Sequence, residues 1–179
     1  KPLLITENLI LKAVCYKEDE KIGDVLEQRF TISKSSGKKI SLKNEPDKKY
    51  NYVEAFTLIN GVSGKLPWYG KDWLAFSGNN LEAIIDLGST EDISKISADF
   101  LQAEKNWIYL PVKIEVLVSS DGDTFKSLRL IENSDIEKSG QKVKIEFDKI
   151  SARYVKIKAE NLGLIPEGKP GEGNNAWLF

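Results

Sequence analysis

An antiparallel β-sandwich is the fold class this sequence predicts. Apolar and polar residues alternate with a period of two along several runs, turn-forming residues stand between those runs, and no long window carries helical periodicity. Many short strands with regular punctuation pack as two facing sheets.

Taken in order, the runs Leu9 to Val14 and Leu26 to Ser33 read as strands joined by the charged turn around Lys17 to Lys21. The nearest helical candidate, Glu20 to Arg29, is short and holds Gly23 at its centre, which costs about 1 kcal/mol against Ala. Two strands are too few for a core. The polar stretch Lys34-Ser35-Ser36-Gly37-Lys38 is composed like an interdomain linker, in which backbone hydrogen bonds are expected to be sparse. The chain therefore divides into residues 1–35, the remnant of a preceding unit plus its linker, and residues 36–179, the main domain.

Within that domain, Leu81 to Leu87 and Ile93 to Leu101 read as two well-buried strands. Val112, Ile114, Val116 and Val118 share one strand face, as do Val143, Ile145 and Phe147, and Val155, Ile157 and Ala159. Turns are marked at Asn60-Gly61, Ser77 to Asn80, Ser120 to Asp123 and Ser139-Gly140. From Asn161 to Asn175, Pro166, Gly168, Pro170, Gly171 and Gly173 allow neither a helix nor a central strand, so a long loop is expected. Lys1 is no initiator Met and Phe179 stops inside an apolar run, so the chain is expected to be a piece of a larger protein.

Composition removes several classes of function. With 26 Lys and Arg against 27 Asp and Glu, the net charge of −1 attracts neither nucleic acid nor an anionic membrane. Hydrophobic residues make up 41% and charged residues 30%, and no apolar run approaches the roughly 18 residues of a membrane span. Histidine is absent, which eliminates Ser-His-Asp and Cys-His catalysis and His-ligated zinc. Cys15, the single cysteine, forms no internal disulfide and is read as a small buried hydrophobe on its strand.

Glycoside hydrolysis needs only two carboxyls, so the local pairs Glu91-Asp92 and Asp121 with Asp123 are the first chemistry to weigh. Both sit in short turns, where acidic residues cap the backbone, and Asp121-Gly122-Asp123 reads as a hairpin turn rather than a calcium loop. Aromatic residues beside loop signals are more informative. Trp68 and Tyr69 lie in the Pro- and Gly-broken stretch Leu66 to Trp73, and Trp107 lies in a second break between strands. An exposed ring stacks on the apolar face of a sugar while neighbouring amides orient it. Trp73 and Trp177 occupy strand-like contexts and are read as plugs at an end of the sandwich.

The ordered series Thr57-Leu58-Ile59-Asn60-Gly61, Trp73, Ile84-Ile85-Asp86-Leu87-Gly88, Val116 to Gly122, Ala152 to Ile157 and Ala176-Trp177-Leu178-Phe179 resembles the discoidin, or coagulation factor five/eight C-type, domain over about residues 36–179. Phe100-Leu101-Gln102, Trp107-Ile108 and the Gly/Pro loop before Ala176 are most similar to the copies at the C-terminal end of bacterial family 20 glycoside hydrolases, the β-N-acetylhexosaminidases or chitobiases. The resemblance implies a galactose-binding-like jelly-roll β-sandwich, with Leu9 to Ser33 resembling the last strands of a fibronectin-like sandwich before it. It also implies a noncatalytic carbohydrate-binding module of a secreted, periplasmic or surface-borne bacterial enzyme, whose partners are a glycan and the parent's catalytic domain. The alternative is a structural spacer packed on that catalytic domain without a ligand of its own.

The candidate ligand-binding residues are Trp68, Tyr69, Asn106, Trp107, Lys169 and Asn174; no catalytic residue is assigned. Related domains often hold a structural calcium with an Asp at the place of Asn60. The candidate position here is Asn60 with Ser63, which lacks that acid, and no firm metal site or cofactor follows.

Overall fold

The computed structural model describes residues 3–179. Among the described residues nine strands and one α-helix follow the chain, besides short 3-10 turns such as Glu54–Ile59: β1 (Leu9–Lys17), β2 (Glu20–Phe30), β3 (Lys39–Leu42), β4 (Phe76–Ser77), β5 (Leu81–Asp99), β6 (Lys113–Ser119), β7 (Lys126–Glu132), α1 (Asn133–Ser139), β8 (Lys142–Glu160) and β9 (Trp177–Leu178). A five-stranded antiparallel sheet has the order β3-β5-β8-β6-β7, and β4 pairs with β9 in a second small sheet. The alternating runs form strands because period two places Leu81, Ala83, Ile85 and Leu87 on one face, where all four are buried.

Leu81 to Leu87 and Ile93 to Leu101 are not separate strands. They join in β5, which pairs with β8 along both their lengths and shifts register between Asp86 and Glu91 and again between Ile93 and Lys95. Gly88, at a φ of 85°, supplies the left-handed residue in the first irregularity. Bulges of this kind let a strand pair turn a corner and serve two layers. Ile93, Val143 and Ile145 accordingly share one core with Leu81, Ile85, Val116 and Val155.

Helix α1 was not anticipated. It has seven residues, and only Ile136 among them is buried, so periodicity has too short a run to register. Gly140, at a φ of 67°, ends it and donates its N–H to Ile136 O and Glu137 O.

The first two strands form a hairpin whose turn residues, Glu18 and Asp19, both take positive φ. Gly23 lies within β2, so Glu20 to Arg29 is extended rather than helical. Nearly every residue of the hairpin is exposed. Cys15 is exposed too, contrary to the buried position expected of it, because its strand carries no second layer among the described residues.

The stretch after the hairpin also departs from expectation, for it is well bonded. Ser36 and Lys38 donate backbone N–H groups to Ser33 O and Ser35 O, and Gly37 donates to Ile59 O. Lys34 Nζ reaches Glu91 Oε2 at 3.0 Å and Asp92 O at 2.8 Å. Thr31 N–H donates to Gly61 O at 2.8 Å, tying the hairpin's exit to the turn below it.

Candidate functional site

Two loops rise from one aromatic cluster. Trp73, Ala75, Leu101, Ile108 and Phe179 are buried together, with Tyr50, Trp68, Ala103 and Trp177 packed against them. Trp73 donates its indole N–H to Lys65 O, and its ring lies so close to Gly64 that a Cβ there would overlap it. Trp73 plugs the cluster and Trp177 flanks it, as their strand-like contexts suggested. From this base the Pro67–Gly70 turn carries Trp68, half-buried, and Tyr69, which is 66% exposed. The two rings meet edge to face at 6.1 Å.

The second loop is the turn Glu104–Asn106, closed by Asn106 N–H to Ala103 O and Trp107 N–H to Glu104 O. Trp107, which caps that turn, takes a φ of 65° and is 40% exposed. Its carbonyl accepts from Trp177 N–H. The indole rests on Gly171 of the tail loop, at a φ of 88°, where a Cβ would overlap the ring.

That tail loop is irregular yet internally bonded. Ile165 N–H donates to Asn174 O, Gly173 N–H to Ile165 O, Glu172 N–H to Lys169 O and Ala176 N–H to Gly163 O. Ile165, Tyr109 and Ala176 form a small buried core beneath it. Asn161, buried at its base, donates Nδ2 to Phe76 O and Ala176 O and accepts from Gly163 N–H. The Tyr109 hydroxyl donates to Pro170 O at 2.9 Å, and burial, aided by the Glu104 charge, pushes its pKa up, so it stays a neutral donor.

The six candidate residues fall into three groups. Trp107 and Asn174 meet at Gly171, where Asn174 Nδ2 donates to Gly171 O and Glu172 O and leaves its Oδ1 as an acceptor, while Asn106 precedes Trp107 in its turn. Lys169 stands over the Tyr109 ring at 5.3 Å and lines a pit of about 30 Å³ with Gln102 and Glu104, too small for a sugar ring. Trp68 and Tyr69 stand on their own loop, sharing with Trp107 only the cluster through Ala103 and Ile108. Sequence reasoning gave no role to Gly171 or Asn161, of which only the Gly at 171, conspicuous in a Pro/Gly loop, offered a signal; Tyr109, legible as an aromatic in the same break as Trp107, is buried.

The fold and this end face can now be compared with known proteins. A model of the F5/8 type C domain matches residues 33–175. The chain belongs to the F5/8 type C family. Among curated proteins none matches it. Solved structures similar to this F5/8 type C domain include a chitosan-binding module of a chitosanase/glucanase from Paenibacillus sp. IK-5, 14% identical over 81% of this chain and 92% of that one, with a TM-score of 0.53. A fucose-binding module of Streptococcus pneumoniae is 15% identical over 82% and 90%, with a TM-score of 0.55. A Clostridium perfringens module in complex with GalNAc-β-1,3-galactose is 19% identical over 78% and 89%, with a TM-score of 0.50. At these identities the likeness establishes the galactose-binding-like β-sandwich.

The acidic pairs of this F5/8 type C domain are engaged in its framework. Glu91 is held below the usual carboxylate range by Lys34, with Ser89 adding, and Asp92 by Ser151 and Lys149. Asp121 is lowered to about 2 because the Thr124 and Asp123 N–H groups and the Ser119 hydroxyl all bond it. A general acid needs a raised pKa, the opposite shift.

Asn60 and Ser63 do not fit a calcium ion. Asn60 Oδ1 accepts from Val62 N–H at 2.8 Å, serving the turn after the Glu54–Ile59 helix. Calcium takes six to eight oxygens, usually including carboxylates, and no cluster of three or more His, Cys, Asp or Glu occurs among the described residues.

Proposed function

We propose that this chain is a noncatalytic carbohydrate-binding module that holds glycan weakly on the end face around Trp107. The observation that carries the reading is the exposed Trp107 indole seated on Gly171 of a pre-bonded tail loop, with Asn174 Nδ2 bonded to the Gly171 carbonyl. A ring already fixed in place loses little freedom on binding, and a flat aromatic surface suits the apolar face of a sugar. The sugar ligands of the similar Paenibacillus, Streptococcus and Clostridium modules support the same class of partner. Trp68 and Tyr69 extend the platform, and Lys169 serves as a neighbouring donor.

Covering about 50 Å² of apolar sugar surface at ~25 cal/mol per Å² contributes about 1.3 kcal/mol, close to tenfold in affinity for one ring. Dissociation constants for mono- and disaccharides then fall between about 0.1 and 10 mM. Titrating N-acetylglucosamine, galactose and their short oligomers while following Trp fluorescence and amide shifts tests this. Trp107→Ala is expected to weaken binding about tenfold. If Trp68→Ala, Tyr69→Ala and Trp107→Ala all bind with unchanged affinity and intact fold, the face is wrong.

The parent is a glycoside hydrolase of the β-N-acetylhexosaminidase type, acting outside the cell or in the periplasm, with this module keeping it near its substrate. A hexosaminidase barrel encoded before Lys1 is the observation that checks this parentage. A second reading, a spacer packed on the catalytic domain, is favoured by the hairpin, where Ile10, Val14, Tyr16, Ile22 and Leu26 are all exposed. On that reading residues 1–35 belong to a preceding fibronectin-like sandwich. An array without glycan hits, together with a catalytic domain destabilised by deletion of the module, would decide for the spacer.

A further inference from the structure

A cavity of about 560 Å³ lies between the inner surface of the large sheet and the Glu54–Ile59 helix with the Gly61–Gly64 turn, with Trp73 and Phe179 of the aromatic cluster also in its lining. Its walls are apolar, drawn chiefly from Ile40, Ala83, Ile85, Ile96, Ala98 and Ile157. Exposed Ser33 and Lys34 and the half-buried Ser35 border it, so its mouth opens at the turn after the hairpin. Volumes of ~300–1,000 Å³ with apolar walls and few polar groups are those of small-molecule sites.

Several serines and charged residues stand at the exposed rim, and Thr57 is the buried polar residue of the lining. It is 6% exposed, lines the cavity, and its Oγ1 has no hydrogen-bond partner among the described residues. A buried hydroxyl without a partner costs stability, so a ligand that bonds it is bound preferentially. The charged residues of the lining balance, with Lys34, Lys95 and Lys142 against Asp72, Asp92 and Asp99. Each of the three lysines is paired with an acid, to Glu91, Glu146 and Asp99 respectively. No uncommitted lysine is left to favour an anion such as a fatty acid.

The geometry points to a second binding site in this cavity, for a neutral amphiphile with an alkyl chain or ring system and a single hydroxyl that bonds Thr57. The hydrocarbon replaces water along Ala83, Ala98 and Ile157, and the hydroxyl shares one hydrogen bond with Thr57 Oγ1, which can act as donor or acceptor in it. This site uses none of the six candidate sugar residues.

Diphenylhexatriene, a hydrocarbon whose fluorescence rises in apolar surroundings, is the probe for the whole chain, with n-octanol as competitor. Saturable one-to-one binding, displaced by n-octanol, is expected. Ala83→Phe and Ala98→Phe each place a ring in the space and should abolish the signal. Ala98 is only half-buried, so its variant serves should Ala83→Phe fail to fold by circular dichroism. Thr57→Val keeps the shape and removes the hydroxyl; it should leave the probe's affinity unchanged and weaken n-octanol roughly fivefold, the range of a single neutral hydrogen bond. No saturable probe binding by the parent chain, binding retained in a folded Phe variant, or unchanged n-octanol affinity in Thr57→Val would each overturn the assignment.

Discussion

At Gly171 two constraints coincide: a positive φ that L side chains rarely adopt, and an indole where a Cβ would stand. Gly171→Ala therefore has two costs, roughly 1–2 kcal/mol for the left-handed backbone and roughly 1–3 kcal/mol for the overlap, part of which is relieved if Trp107 moves. The expected outcome is a loss of about 2–3 kcal/mol in urea unfolding together with a fall in sugar affinity similar to that of Trp107→Ala. Unchanged affinity in the folded variant would show that the seat on Gly171 does not orient the ring. Asn161 makes the complementary point. A single buried amide satisfies Phe76 O and Ala176 O while its oxygen accepts from Gly163, so one side chain ties the tail loop to β4 and to the entry into β9.

Elements raise different questions, chiefly of pairing. β5 and β8 are joined by a fork in which Arg153 Nε and Nη2 donate to the two Asp86 oxygens at 2.8 and 3.0 Å. The Arg153 bond and the Gly88 N–H hold the Asp86 carboxyl at about 2, against an ordinary 3.8. A carboxyl with a lowered folded pKa stabilises the fold above its unfolded value, and that contribution is lost as pH falls from 3.8 towards 2. Asp86→Asn should flatten the acid side of the stability curve across that window. The remaining slope belongs in part to Asp121, which is lowered over the same range. Chemical unfolding at successive pH values checks it; a slope equal to the parent's would remove Asp86 from the account.

The hairpin invites a second test among the elements. β1 and β2 pair over most of their length but contribute nothing to the buried clusters, and before Thr31 they are tied to the domain by the exposed Lys65 Nζ, which donates to Glu27 O and Gln28 Oε1. A chain starting at Thr31 should unfold within about 3 °C of the whole. A chain starting at Lys39 also loses the Lys34 bonds to Glu91 and Asp92 and the Gly37 bond to Ile59, and should melt measurably lower. A large drop on removing residues 1–30 would mean that the hairpin carries part of the domain's stability.

For the molecule as a whole, charge is nearly balanced, and the proposed sugar face consists of rings, amides and one lysine. Binding of a neutral glycan should therefore change by less than about twofold between roughly 50 and 500 mM salt, where long-range charge effects are screened away. A steep loss would indicate an anionic ligand and assign the main role to Lys169.

Strand pattern, turn positions and the irregular tail were legible in the chain because each depends on neighbours only two to four residues away. Alternation at Val143 to Phe147 and at Val155 to Ala159 names a buried face without any knowledge of the partner strand. The aromatic candidates were legible for a similar reason, since Trp68, Tyr69 and Trp107 stand beside residues that break regular structure. What alternation could not reveal was that β5 and β8 run unbroken through their bulges, because a bulge interrupts the period just as a turn does. Nor could it reveal that Cys15 faces solvent, since its burial depends on whether a second layer covers the strand. The seat of Trp107 on Gly171 and the partnerless Thr57 hydroxyl over the cavity join residues 64 and more apart, or a residue and a volume. Contacts of that separation are set by how the layers close, and only the folded chain holds that information.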